Sequence, residues 1–181
     1  DCIPIEQAQR KQSICTSRSF AKELSNLPDL QSMVCTFAVM CAEKLRKQLS
    51  VASSVTVFIQ TNSFNPNHPQ YSNAGTIDML TPNAATQCLK RLYRDGYGYK
   101  RAGVIISNII PSNAIQTNLI DYDSEQYKKR QQLDSVIDEI NRMHGKETVR
   151  LGTQSFFADC MKHDYRSPAY TTRWSDIIQV G

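Results

Sequence analysis

Two short stretches of this sequence combine basic side chains with hydroxyl groups, a combination that suits phosphate binding. Arginine, lysine and hydroxyl groups hold the phosphate oxygens of a nucleic acid, and such contacts position a duplex without reading its sequence. We expect the two stretches to lie on adjacent strands of one sheet. The candidate residues are Arg10, Lys11, Ser17, Arg18, Ser19, Lys100 and Arg101.

Ordinary surface charge explains these residues equally well from composition alone. The chain has 21 Lys and Arg against 17 Asp and Glu, a formal net charge of +4, and many soluble proteins of that charge do not bind nucleic acid. Arg18 has the parity of Ile14 in the first predicted strand. Ser17 and Ser19 have the parity of Cys15, so alternation does not decide which set faces the protein core.

The sequence predicts no catalytic centre. The motifs GxSxG, GxxxxGK[ST] and GxGxxG are all missing. Asp121 and Asp123 are two residues apart in a polar stretch, which is more typical of a solvated turn than of a metal pair. Cys160 and His163 have the spacing of half a zinc site, but no second half accompanies them. We therefore expect no catalytic residue, no metal and no other cofactor in this chain.

The length of the chain fits one domain of ordinary size, or one compact domain with a smaller appended unit. Hydrophobic residues make up 40% of the 181 residues, which is enough for a core. The sequence contains no apolar run of the ~18 residues that a membrane helix needs, and no signal-peptide pattern. None of its six cysteines forms a CxxC pair, so we expect reduced thiols in a cytoplasmic protein. The chain begins with Asp1 rather than Met, which we interpret as a fragment.

Hydrophobic periodicity predicts the element order β-α-β-β-α-β over the first 110 residues. This is an α+β fold of the split βαβ, ferredoxin-like kind, in which two helices pack on one face of an antiparallel sheet. The other face is left open, and we expect the first and last strands to be interior neighbours. The predicted elements are strands 11–20, 54–61, 75–80 and 99–110, a helix at 30–49, and a helix from Thr81-Pro82 to Asp95-Gly96.

The last third of the chain has a different character. Residues 111–123 are a polar linker, and Asp123 is placed to cap a third helix that ends at His144-Gly145. Residues 148–151 are predicted as a short strand. Residues 124–181 are therefore expected to form a small α/β extension.

Several segments resemble the little-finger and C-terminal domains of UmuC-type polymerases, the Y-family translesion enzymes of bacterial DNA polymerase V. The resemblance covers nearly the whole chain, and its last segment is the most specific. The segments are Lys11-Gln12-Ser13-Ile14 with Ser17-Arg18-Ser19-Phe20, Ala42-Glu43-Lys44-Leu45-Arg46, Tyr99-Lys100-Arg101-Ala102-Gly103-Val104, and Ser167-Pro168-Ala169-Tyr170-Thr171-Thr172-Arg173-Trp174.

The resemblance implies a role in copying past damaged bases during the SOS response. Residues 1–9 would connect to a catalytic core upstream, and residues 10–110 would form a little finger that holds duplex DNA in the major groove through phosphates. Such a core carries the carboxylates that bind magnesium ions. The resemblance therefore implies that this fragment is itself non-catalytic and binds no cofactor.

A candidate sliding-clamp peptide lies in the 111–123 linker. It matches the UmuC-type pattern Gln-Leu-x-Leu-Phe at the glutamine and at Leu119, whereas Thr117 and Ile120 replace an apolar and an aromatic anchor. Anchors of this kind dominate peptide contacts, so a simple linker remains the alternative. The candidate residues are Gln116, Thr117, Asn118, Leu119, Ile120 and Asp121.

The C-terminal unit, residues 124–181, resembles the part of UmuC-type proteins that is associated with the processed UmuD dimer and with RecA. Its candidate partner-binding residues are Tyr170, Arg173 and Trp174, although these side chains are also suited to packing within the protein. Three rival functions remain. They are a single-strand or RNA-binding module, a protein adaptor without DNA binding, and a small ferredoxin-like hydrolase such as one acting on acyl phosphates.

Overall fold

The computed structural model describes residues 11–64, 69–78, 82–112, 124–145 and 147–154. The described residues have the predicted β-α-β-β-α-β order, followed by a third helix, and the α+β class is confirmed. The elements are β1 Ile14–Leu24, α1 Leu27–Lys47, β2 Ser50–Thr61, β3 Ser72–Ile77, α2 Pro82–Leu92, β4 Tyr99–Pro111 and α3 Ser124–His144.

The strand order of the sheet is β1-β4-β2-β3, and all neighbouring strands are antiparallel. β1 and β4 are neighbours, as predicted. The expectation that both are interior is wrong for β1, because β2 occupies the second side of β4 from Ser50 to Thr61 and leaves β1 at the edge. The split βαβ arrangement still holds, since β4 separates β1 from β2.

The core lies between one face of the sheet and helices α1 and α2. The predicted apolar stripe of α1 is confirmed, because all six of its residues are at most 3% exposed. These side chains meet the buried positions of the central strands, including Val57, Ile59 and Val104. The stripe of α1 consists of Leu30, Met33, Val34, Phe37, Cys41 and Leu45.

β1 begins at Ile14 and ends at Leu24, three and four residues later than predicted, and its alternation is interrupted. The register between β1 and β4 shifts between Ser19 and Leu24, and a bulge of this kind breaks the period-two pattern that predicted an end at Phe20. β3 was predicted three residues too late. Its first residues, Ser72 to Ala74, are exposed at the sheet edge, so no apolar alternation marks them.

α3 ends at His144, as predicted, and Gly145 follows it with a φ of +109°. The predicted cap at Asp123 lies outside the described residues. Residues 148–151 do not form the predicted strand; they bend at residues 148 and 149 and have no regular structure. The Asn141 side chain instead bonds both backbone groups of Val149, at 2.8 and 3.0 Å. None of the helices in the described part of the chain combines the length and hydropathy needed for a membrane span.

Candidate nucleic-acid interface

Three rows of side chains cross all four strands on the sheet face that points away from α1 and α2, which is here called the open face. Strand register defines each row, because directly paired residues point to the same side. Each row is given in the sheet order β1, β4, β2, β3. The rows are Ser19, Arg101, Gln60 and Ser72; Ser17, Gly103, Phe58 and Ala74; and Cys15, Ile105, Thr56 and Thr76.

Gly103 makes the centre of the open face unusually close-packed. A Cβ at this position would overlap the ring of Phe58 and would lie 2.5 Å from the Cβ of Ser17. The missing side chain therefore allows the Phe58 ring to lie across the backbone of β4, towards Ser17. An aromatic ring that covers a strand glycine in this way also fixes its own position.

Arg101 is held in place by two neighbours on the open face. Its guanidinium donates a hydrogen bond to the Ser17 hydroxyl at 3.1 Å, and its central carbon lies 5.9 Å from the centroid of the Phe58 ring. That distance is within the range of a cation–π contact. A guanidinium carries five N–H donors, so the bond to Ser17 leaves donors for an anion.

The three rows carry one positive charge and no negative charge. Arg101 is their single charged residue, and five of the other positions are serine or threonine. Two of these hydroxyls, on Thr56 and Thr76, bond each other at 2.8 Å. Within these three rows a polyanion would meet hydroxyl groups and a pre-positioned guanidinium, and the exposed Asp78 lies one row beyond them.

Only some of the residues predicted to bind phosphate lie on the open face. Ser17, Ser19 and Arg101 lie together on the open face, whereas Arg18 pairs with buried Ala102 and points to the helix side of the edge strand. Lys100 falls at the register shift between Arg101 and Tyr99.

The ammonium of Lys100 donates to the Ala21 carbonyl at 3.0 Å. Lys11 is exposed before β1, and Arg10 lies outside the described residues.

Sequence reasoning missed three contributors to this surface. Phe58, Gln60 and Ser72 were not among the residues predicted to bind phosphate. Their parity within each strand was readable, but their alignment with Arg101 depends on the register between strands. Gln60 and Ser72 also line a cleft of about 330 Å³, together with Thr61, Ser63, Gln70 and Tyr71.

Within the described ranges, no group of three metal-ligating side chains is present. Burial raises the pKa of the Cys41 and Cys88 thiols, so both remain protonated at neutral pH rather than forming reactive thiolates. Cys41 instead donates to the Thr16 hydroxyl at 3.1 Å. The clamp-peptide residues 116–121 and the predicted partner residues Tyr170, Arg173 and Trp174 lie outside the described residues.

Two protein-family models match this chain. The impB/mucB/samB family C-terminal domain matches residues 11–119. A domain of unknown function, DUF4113, matches residues 131–180.

Curated relatives match almost the whole chain. Protein UmuC of Salmonella typhimurium (strain LT2) is 33% identical over 99% of this chain and 44% of its own length. Protein SamB of Salmonella typhimurium is 33% identical over 97% of this chain and 43% of its own length. Protein MucB of Escherichia coli is 32% identical over 97% of this chain and 43% of its own length. The chain thus spans less than half the length of these relatives.

Two solved structures are similar to part of the chain at low identity. The complex of the beta-clamp processivity factor and the little finger domain of PolIV has a TM-score of 0.42 and 13% identity, over 60% of this chain and 98% of that chain. The insertion ternary complex of Dbh DNA polymerase has a TM-score of 0.45 and 11% identity, over 55% of this chain and 29% of that chain.

Proposed function

This chain belongs to the impB/mucB/samB family, whose C-terminal domain it carries at residues 11–119, and we propose that the open face of this domain holds duplex DNA by its phosphates. The parent protein is then a UmuC-type translesion DNA polymerase that acts in SOS lesion bypass in the cytoplasm. Catalysis and its magnesium ions would belong to a core upstream of residue 1. This part of the protein would bind the DNA rather than catalyse the reaction.

The observation that carries the proposal is the position of Arg101. Its guanidinium is held between the Ser17 hydroxyl and the Phe58 ring, on a surface whose three rows contain no carboxylate. A cation fixed in advance loses less conformational freedom when a phosphate binds. Hydroxyls and a guanidinium contact phosphates of any sequence, which suits a polymerase that must travel along its template.

The remainder of the chain supplies the proposed protein contacts. The peptide at residues 116–121 would bind the sliding clamp through Gln116 and Leu119, and its non-aromatic Ile120 makes a weak contact the expected outcome. Residues 124–181 would contact the processed UmuD dimer and RecA, with Tyr170, Arg173 and Trp174 as the candidate anchors. Both assignments rest on resemblance to UmuC-type sequences.

A salt titration of DNA binding tests the proposed grip. The probe is a duplex oligonucleotide, and its affinity for the 181-residue chain is measured at several salt concentrations. We expect binding that ignores sequence and weakens with salt, with a log–log slope of about −0.9 for each phosphate contacted. Arg101→Ala should weaken binding and reduce the slope by about one.

Arg18→Ala is the matched control, because it removes the same charge from the opposite face of the neighbouring strand. It should change the slope less than Arg101→Ala does. Equal effects of the two variants would show that net charge, and not the open face, determines binding. Binding that does not depend on salt or on either arginine would favour the alternative of a protein adaptor without DNA contact.

A further inference from the structure

Helix α3 contacts α1 through its charged side. Arg46 of α1 donates two hydrogen bonds to the Asp138 carboxylate, both at 2.7 Å. Its guanidinium also lies 3.7 Å from the carboxylate of Asp134, one turn earlier in α3. The side of α3 that faces the rest of the protein is thus the side that carries its aspartates.

The opposite side of α3 carries an apolar stripe that faces solvent. Leu133, Val136 and Met143 are 59%, 51% and 63% exposed, and half-buried Ile140 lies between them on the same side. At about 100° per residue, the stripe is centred about 160° from the two aspartates. An amphipathic helix normally turns its apolar side to a core. Among the described residues, this stripe, defined by these four residues, lacks the cover that its composition calls for.

The chain turns back after α3 and returns to α1. Gly145 takes a left-handed backbone conformation, and Asn141 bonds both backbone groups of Val149. The hydroxyl of Thr153 then lies 3.0 Å from the Cys35 thiol of α1. The chain at Thr153 therefore lies beside α1.

The segment that follows has the length and composition to cover the stripe. α3 has 21 residues and is about 32 Å long, a distance that about ten residues of extended chain can span. Residues 155–181, which lie outside the described residues, include the large apolar side chains Phe156, Phe157, Met161, Trp174, Ile177 and Ile178.

The boundaries of the DUF4113 match supply the second argument. The match runs from residue 131 to residue 180, so it joins the whole stripe and the C-terminal segment in one inherited unit. A unit of this size needs an apolar core of its own. We propose that residues 155–181 dock on the apolar stripe of α3 and form that core with it, so that Trp174 packs within this unit and Tyr170 and Arg173 remain as the candidate partner anchors.

Trp174 gives a direct readout, because it is the single tryptophan of this chain. Its quenching by acrylamide is measured in the 181-residue chain and in Val136→Glu, which places a charge in the stripe. If the segment is docked, Trp174 is shielded in the parent chain, and quenching rises by about twofold or more in the variant. Ser135→Glu, on an exposed position of α3 about 120° from the centre of the stripe, is the matched control and should leave quenching unchanged.

Met143→Glu at the other end of the stripe repeats the test, and circular dichroism confirms that each variant keeps its fold. If Trp174 is fully accessible in the parent chain, or if neither stripe variant changes its quenching, the proposal is overturned. Sedimentation velocity tests the alternative that a second copy of this chain covers the stripe. A parent chain that dimerises, and that becomes monomeric in Val136→Glu without any change at Trp174, would assign the stripe to a second copy.

Discussion

The ring of Phe58 and the guanidinium of Arg101 lie on adjacent strands, with 5.9 Å between the ring centroid and the guanidinium carbon. The two residues are diagonal neighbours, because Phe58 pairs with Gly103 and Arg101 pairs with Gln60. Since Gly103 has no side chain, the ring can lie over its backbone. One glycine therefore determines where the aromatic ring lies, and the ring in turn helps to orient the cation.

Replacing Gly103 by alanine is expected to destabilise the domain. The new Cβ would overlap the Phe58 ring and crowd Ser17, and overpacking of this kind costs about 1–3 kcal/mol. The free energy of unfolding is measured with urea. Phe58→Ala in the same chain should recover part of the loss, because it removes one of the two overlaps. If the double variant loses as much free energy of unfolding as the two single variants lose together, the ring does not lie over the glycine.

The helices and the central strands were predictable because their apolar residues are periodic. The stripe of α1 and the alternation of Val55, Val57 and Ile59 depend only on local geometry, and all of these residues are buried. The position of β1 at the sheet edge was not predictable, since it depends on which strand fills the far side of β4. Pairing between distant segments has no local signature in one sequence.

The composition of the candidate site was predictable, but its geometry was not. Ser17 and Arg101 were identified from residue type, and they are hydrogen-bonded across two strands. Arg18 belongs to the same sequence motif, yet it points to the other face. Its strand has Thr16 and Arg18 between Ile14 and Phe20, so polarity alone does not mark the buried side.

The stability of the fold should decrease in alkaline solution, with a share of the loss due to Cys41. Burial raises the pKa of this thiol above its ordinary value of 9.0, because the folded protein disfavours the thiolate. The resulting stabilisation is complete below about pH 9 and is lost as the pH rises through the folded-state pKa. We expect the free energy of unfolding, measured with urea, to begin to fall at about pH 9 and to go on falling as the pH rises towards the folded-state pKa.

Cys41→Ala should reduce this pH dependence. The exposed Cys15 provides the control, and Cys15→Ala should retain the full decrease. An equal decrease in the parent chain and in Cys41→Ala would show that other groups account for the alkaline loss. Tyr99 is one such group, since burial also raises the pKa of its hydroxyl.

The attachment of α3 to α1 should depend on Arg46. Its paired hydrogen bonds to Asp138 join side chains that are 32% and 26% exposed, and a half-buried pair of this kind contributes on the order of 1 kcal/mol. Arg46→Ala should therefore speed amide hydrogen exchange in α3 about fivefold, while exchange in β2 and β4 stays unchanged.

Lys47→Ala is the control for loss of charge at this end of α1. Lys47 pairs with Glu43 of its own helix at 2.6 Å and is 71% exposed, so its removal should leave exchange in α3 as it was. If Arg46→Ala also leaves α3 unchanged, the helix is held by contacts other than this ion pair.

Arg101→Lys separates the geometry of the proposed DNA grip from its charge. Lysine keeps the positive charge, so the salt dependence of duplex binding should be unchanged. It lacks the planar fork that bonds Ser17 and lies over Phe58, and loss of that arrangement should weaken binding by about threefold to tenfold at fixed salt. Arg18→Lys, on the other face, should bind as the parent chain does. Equal affinity of Arg101→Lys and the parent chain would mean that the open face contributes charge alone, because a pre-positioned guanidinium would then give no advantage over a flexible ammonium.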